Sequence, residues 1–265
     1  MVRKNNILKF MSKEIENYWN ATAQKYQKKS GISLASAHYG PYAPQEKDLK
    51  LLGNVRNKKI LEIGCGGGQC SIAFARQGAK CTAIDLSEEQ LKFAKELSKE
   101  NKVEIDFRQG DFQDLKAFKS SSFDIVFSAY ALQYSFDLRQ VFSQVYRILK
   151  KRGLFVFSFD HPFYLIIKKK TKKIKESYFQ TGRMESKSSW EDKNKNKIRF
   201  VYYKNKLSDI YNALADEKFM VEKILEPLDL KGEKAWTKGE WSKFYPKELV
   251  KLVGPTIIFK ARKNK

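Results

Sequence analysis

The chain's 265 residues are enough to bury a large core, as one α/β domain or as a domain with a cap, and 42% apolar with 14% aromatic content excludes a disordered chain. Its 52 Lys and Arg against 30 Asp and Glu give a formal charge of +22, which admits a polyanionic partner, although many lysines stand singly on predicted helix faces, as at Lys92, Lys95 and Lys99. No apolar run approaches the roughly 18 residues of a membrane helix, the N-terminus lacks a signal peptide's apolar core, and Cys65, Cys70 and Cys81 have neither metal nor disulfide spacing, so a soluble cytoplasmic protein with reduced thiols is expected.

In chain order, residues 12–29 read as an amphipathic helix capped by Ser12 and ended by Gly31, with Ile15, Tyr18, Trp19, Thr22 and Tyr26 on one face. A turn-rich loop, His38 to Pro44, follows. From residue 58 strands and helices alternate, the pattern of a parallel sheet covered on both faces. Strands are predicted near 58–63, 80–84, 103–107, 123–128 and 153–159, and helices near 68–77, 87–100, 113–119 and 138–150. The last helix has Asp137 as its cap, an apolar stripe from Leu138 to Leu149 and Gly153 beyond its basic end. The alternation then stops. Residues 163–206 are rich in lysine and in aromatics such as Tyr178, Phe179, Trp190, Phe200, Tyr202 and Tyr203, and contain two stretches suited to an antiparallel pair; they read as a cap inserted over the sheet's ligand edge. A helix near 207–216 and strands near 219–225 and 255–262 complete the sheet. The organisation expected is 1–44 helix and lid, 45–162 nucleotide-binding core, 163–206 cap and 207–265 completion of the core.

The chemistry concentrates in the segment Leu61 to Gly68, LEIGCGGG, a strand turning through a glycine loop into a helix. A dinucleotide fingerprint would place a third glycine where Gln69 stands, and Glu62 beside the loop would repel a diphosphate. A carboxylate there suits a cationic, phosphate-free ligand, of which S-adenosylmethionine is one. Asp85 lies 21 residues beyond Gly64, where a carboxylate can accept from ribose hydroxyls; its alternative is a helix cap. Asp111 follows the third strand and could accept an adenine amino group, with Leu86 and Phe112 beside the ring, or serve as a turn aspartate. Cys65 reads as a small residue packed beside the ligand rather than a nucleophile.

These segments, with YWNATAQKY, AIDLS, QGDF, FDIVFSAYALQY, RILKKRGLFVFS and FMVEKILEP, resemble the class I S-adenosylmethionine-dependent methyltransferases, in particular the small-molecule group that includes ubiquinone and menaquinone biosynthesis-type enzymes. The resemblance spans about residues 15 to 262 and implies a Rossmann-like, seven-stranded, mostly parallel sheet whose last strand is antiparallel. It implies cofactor contacts from Glu62, Gly64, Gly66, Asp85, Asp111 and Ser128, with Tyr18 and Tyr26 closing over them.

The activity expected is methyl transfer to a small-molecule acceptor by in-line displacement, with S-adenosylhomocysteine as product. His161, in SFDHPF beyond the fifth strand, is the candidate to touch substrate or act as a base; a histidine held by Asp160 or a backbone carbonyl is the alternative. His38, Tyr130 and Tyr134 are candidates to shape the acceptor site. No metal is expected, since Asp160 and His161 give only two adjacent ligands. Two other functions compete: RNA methylation with the basic insertion (Lys168, Lys169, Lys170, Lys172, Lys173, Lys175, Lys193, Lys195, Lys197, Arg199) as a phosphate clamp, and a non-catalytic cofactor-binding partner. A dehydrogenase ranks last because of Gln69.

Overall fold

The computed structural model describes residues 2–191, 194, 196–231 and 239–264. Lys193 and Lys195, and the side chains of Trp190 and Lys197, lie outside the described residues. Strands β1 (Lys59–Ile63), β2 (Lys80–Asp85), β3 (Ile105–Gln109), β4 (Phe123–Ala129), β5 (Leu149–Asp160), β8 (Phe219–Leu225) and β9 (Thr256–Lys263) form one sheet in the order β3-β2-β1-β4-β5-β9-β8. The first five strands are parallel, and β9 runs antiparallel to both β5 and β8. The order reverses between β1 and β4, so the carboxyl ends of these strands open a crevice where connecting chains diverge to opposite sides.

Apolar residues line both faces, as a sheet buried on both sides requires. Phe155, Phe157 and Phe259 pack on one side against α5 (Leu138–Ile148) and α7 (Leu207–Asp216). On the other, Ile60, Phe127 and Val156 meet α3 (Gln69–Arg76) and the loop residues Tyr39, Leu51 and Leu52. Helix α4 (Glu88–Glu100) covers β2 and β3, and α1 (Val2–Ser30) lies across α4. Asn20 of α1 accepts from the Ser87 hydroxyl at 2.7 Å while Ser87 caps α4, which ties the first helix to the sheet's ligand edge.

Three elements differ from the sequence reading. Helix α1 begins at Val2, so Ser12 is an interior residue whose hydroxyl donates to Asp111 instead of capping. Residues 113–119 are successive turns: carboxylates of Asp111 and Asp114 accept from the backbone N–H of Gln113 and Lys116, a local pairing that competes with helix. Helix α5 ends at Ile148, and β5 begins at once at Leu149 and carries Gly153 within it. Pairing of Phe123 with Leu149 and a register shift before Ile125 make that abrupt change, which a helical stripe read from sequence cannot reveal.

The expected antiparallel pair is present as a hairpin of β6 (Gly182–Glu191) and β7 (Lys197–Lys204). It docks on α1 through charge and ring contacts. Arg183 donates to Glu14 at 3.1 Å, Tyr18 meets Phe200 with centroids 4.9 Å apart, and Ile15 packs with Val201 and Tyr203.

Candidate active site

A cleft opens at the carboxyl edge of β1, β2 and β4 and is roofed by α1. Its floor is the glycine loop. Gly64 has φ +67°, and a β-carbon there would come within 2.2 Å of the Ala131 side chain, so this position needs glycine for both conformation and space. The Asp85 carboxylate accepts from the Gly66 N–H at 2.7 Å and from the Ser87 N–H at 2.9 Å, which fixes loop and carboxylate as one unit. Burial raises its pKa above the ordinary aspartate value, partly opposed by those two N–H groups. The cap of α4 is Ser87 and not Asp85, which braces the turn before that helix and lines the cleft.

Glu62 is 2% exposed and accepts from both the N–H and the hydroxyl of Ser71, at 2.9 and 2.5 Å. Burial pushes its pKa up to about 7, against the lowering effect of Ser71. Asp111 takes the Ser12 hydroxyl on one oxygen and the Gln113 N–H at 2.8 Å on the other. Glu62, Asp85 and Asp111 all line the cleft, and among the described residues no lysine or arginine does. In a chain of net charge +22, that segregation makes a site hostile to phosphate and favourable to a cation. A ligand with an ammonium and a sulfonium fits this donor set, with Leu86 and Phe112 offering apolar surface for a base beside Asp111.

The roof is aromatic. Trp19, Tyr26, Tyr134 and Trp241 line it and meet edge to face: Trp19 with Tyr26 at 5.2 Å, Trp19 with Tyr134 at 5.6 Å, and Tyr26 with Trp241 at 5.9 Å. Tyr130 lines the wall with φ +57°, a conformation rare for a side-chain-bearing residue, and its hydroxyl is fixed by the Pro255 carbonyl at 2.9 Å and the Thr256 hydroxyl at 2.8 Å. His38 also lines the cleft, and burial lowers its pKa to about 4, so it is neutral at physiological pH.

Among the predicted site residues, Tyr26, His38, Glu62, Gly64, Cys65, Gly66, Asp85, Leu86, Asp111, Phe112, Tyr130 and Tyr134 meet at this cleft. The Cys65 thiol is held neutral by burial, which leaves it a packing group. Three residues fall elsewhere. Tyr18 packs against Trp19 and Phe200 and is not among the cleft's lining residues. Ser128 is fully buried and donates to the Ile63 carbonyl at 3.0 Å, linking β4 to β1 behind the floor. His161 caps α6 (Pro162–Leu165): its Nδ1 accepts from the Phe163 N–H at 3.1 Å, so Nε2 carries the proton toward Glu226 at 2.7 Å, and the ring is not part of the cleft lining. A proline after a capping side chain, as in His161-Pro162, is the local signal for that role.

Three buried glutamines form a chain that no local sequence pattern signals. Gln69 donates to Gln27 at 2.7 Å, and Gln27 donates to Gln90 at 2.6 Å, so α1 is fastened across the glycine loop to α3 and α4. Gln69, read only as a missing glycine, is the first link. Trp241 carried no local signal, since it arrives from the far end of the chain.

Residues 61–157 match the family described as "Methyltransferase domain". A ubiquinone biosynthesis O-methyltransferase of Xylella fastidiosa is 33% identical over 153 residues, 53% of this chain and 60% of that protein. One from Xanthomonas oryzae is 38% identical over 95 residues, 36% of this chain and 40% of that protein. The chain thus spans between two fifths and three fifths of the length of these curated relatives. Among solved structures, an S-adenosylmethionine dependent methyltransferase from Mesorhizobium loti superposes with a TM-score of 0.63 at 26% identity, covering 81% of this chain and 94% of that one. Geranyl diphosphate C-methyltransferase from Streptomyces coelicolor, solved with S-adenosyl-L-homocysteine, gives 0.64 at 15% identity over 96% and 97% of the two chains, a likeness of fold.

Proposed function

We propose, from the premise that this chain carries a class I S-adenosylmethionine-dependent methyltransferase domain, that it methylates an oxygen of a small, largely apolar acceptor. The observation that carries the reading is the cleft itself: three carboxylates, no lysine or arginine among its described lining residues, and an aromatic roof. The O-methyltransferase relatives support oxygen as the receiving atom. When bound, S-adenosylmethionine supplies a methyl group on a sulfonium that is already an activated leaving group. The work left to the protein is alignment and exclusion of water. Asp85 and the Gly64–Gly66 turn would hold the donor, with Glu62 and Asp111 beside it, under a roof of α1 with Trp19, Tyr26 and Trp241.

Calorimetry with S-adenosylhomocysteine and with NADH tests the donor: micromolar binding of the first and none of the second is expected, and the reverse preference refutes it. Incubating the protein with methyl-labelled donor and cell extract, with and without ribonuclease, tests the acceptor. Label in the small-molecule fraction, unaffected by ribonuclease, is expected; label lost with ribonuclease would move the reading to RNA.

A further inference from the structure

The segment between β5 and β6 turns its apolar residues in two directions. Tyr164, Ile166 and Ile167 are buried against Tyr245, Leu249 and Val250. Phe163, Ile174 and Phe179 face outward, with Ile174 67% and Phe179 78% exposed. Phe163 and Phe179 each stand 6.0 Å from the Tyr178 ring, centroid to centroid, so the outward rings form one row. Burying such side chains stabilises a protein, and a row of them left in water marks a surface that another body covers.

Lysine surrounds this row. Residues 168–175 hold six lysines and no acidic residue, and all of them are exposed. They close into a tight hairpin: Ile167 bridges Ile174, and the Lys168 and Lys172 N–H groups donate to the Lys173 and Lys168 carbonyls, each at 2.8 Å. That closure gathers the charge at one tip instead of spreading it along a loop. Lys169 is drawn back to 5.0 Å over the Phe244 ring, and Lys175 pairs with Glu176 at 3.2 Å. Lys168, Lys170, Lys172 and Lys173 pair with no carboxylate among the described residues. Glu248, which feels the charge of Lys172, already pairs with Lys251 at 3.1 Å.

We infer that this basic hairpin and its aromatic row seat the protein on the surface of an anionic phospholipid bilayer. The lysines meet the phosphate headgroups by charge, while Phe163, Ile174 and Phe179 enter the boundary between headgroups and acyl chains. Two observations favour lipid over RNA phosphate. Residues 161–181 contain no arginine, the side chain whose planar fork matches a phosphate bidentately. Ile174, set between Lys173 and Lys175, offers no ring face on which a base could stack. The segment's buried side packs in the same cluster as Trp241 of the cleft roof, so one packed layer joins this surface to the cleft.

Co-sedimentation of the full chain with vesicles is the test. Wild type should pellet with vesicles of equimolar phosphatidylglycerol and phosphatidylcholine and stay in solution with phosphatidylcholine alone. Lys168→Gln, Lys170→Gln, Lys172→Gln and Lys173→Gln, combined in one chain, should weaken binding to the anionic vesicles roughly several hundredfold, at about fivefold per lysine. Ile174→Ser with Phe179→Ser keeps every charge and should weaken it about tenfold. Both variants should melt within about 2 °C of wild type, since the replaced side chains are exposed. Wild type that ignores anionic vesicles overturns the proposal, as does a lysine variant that pellets as well as wild type. Unchanged vesicle binding by the Ile174→Ser, Phe179→Ser variant overturns it too, since the contact would then be charge alone. Transfer RNA binding that needs the four lysines but neither of these two residues would in that case assign the hairpin to RNA.

Discussion

The floor and the roof of the cleft are built by different means. The floor is backbone: a turn forced by Gly64, with Asp85 and Glu62 each held by main-chain N–H groups from residues within 20 positions of them. The roof is side chain on side chain, assembled from α1, the 3-10 turn and Trp241, residues more than 200 positions apart. A floor made from local backbone is rigid and carries one chemistry. A roof made from distant rings can be remodelled without disturbing the glycine turn beneath it.

Substitutions can break that contrast, the floor first. Gly64→Val would combine a strained φ with a clash against Ala131, and is expected to abolish S-adenosylhomocysteine binding and cost about 3 kcal/mol in urea denaturation. Asp85→Ala removes the acceptor of two N–H groups and a ligand-facing charge; calorimetry should record about a 100-fold loss of affinity. In the roof, Gln27→Leu severs the link across the glycine loop yet leaves the floor intact, so a smaller loss, about tenfold, is expected by the same measurement. Equal losses for Asp85→Ala and Gln27→Leu would erase the distinction.

Glu62 sharpens it through pH. Its folded pKa is raised, so the unliganded protein holds this proton more tightly than the unfolded chain does. Stability from that group is complete below the ordinary glutamate range and is lost as pH rises towards about 7. A cationic donor reverses the preference, so affinity for S-adenosylmethionine should rise from pH 6 to pH 8 in wild type and flatten in Glu62→Gln. The smallest effect is expected at the hairpin latch: Arg183→Ala should lower stability by under about 1 kcal/mol, because the pair it forms with Glu14 is only partly buried.

Much of the floor could be read from residues alone. Glycine spacing, an acidic residue before the loop and aspartates at strand ends are local patterns, and each lies at the cleft. His161 misled because its position in the chain is right for chemistry, whereas its side chain is spent on a helix cap and Glu226, 65 residues away. Ser128 and Tyr18 failed for a related reason: a strand or helix position specifies a neighbourhood, while burial against Ile63 or Phe200 decides which way the side chain turns. The turns at 113–119 deceived because side-chain carboxylates captured the backbone N–H groups that a helix would need.

What the sequence determined by itself is the α/β alternation, the glycine turn and the acidic character of its surroundings, because hydrophobic period, φ preference and charge are carried by neighbouring residues. Folding, and no local pattern, keeps the lysines among the described residues out of the cleft, fastens α1 over the loop through three glutamines and spends His161 on a helix cap. Those outcomes depend on which distant side chains compete for the same hydrogen-bonding groups, and that competition is settled when the chain folds.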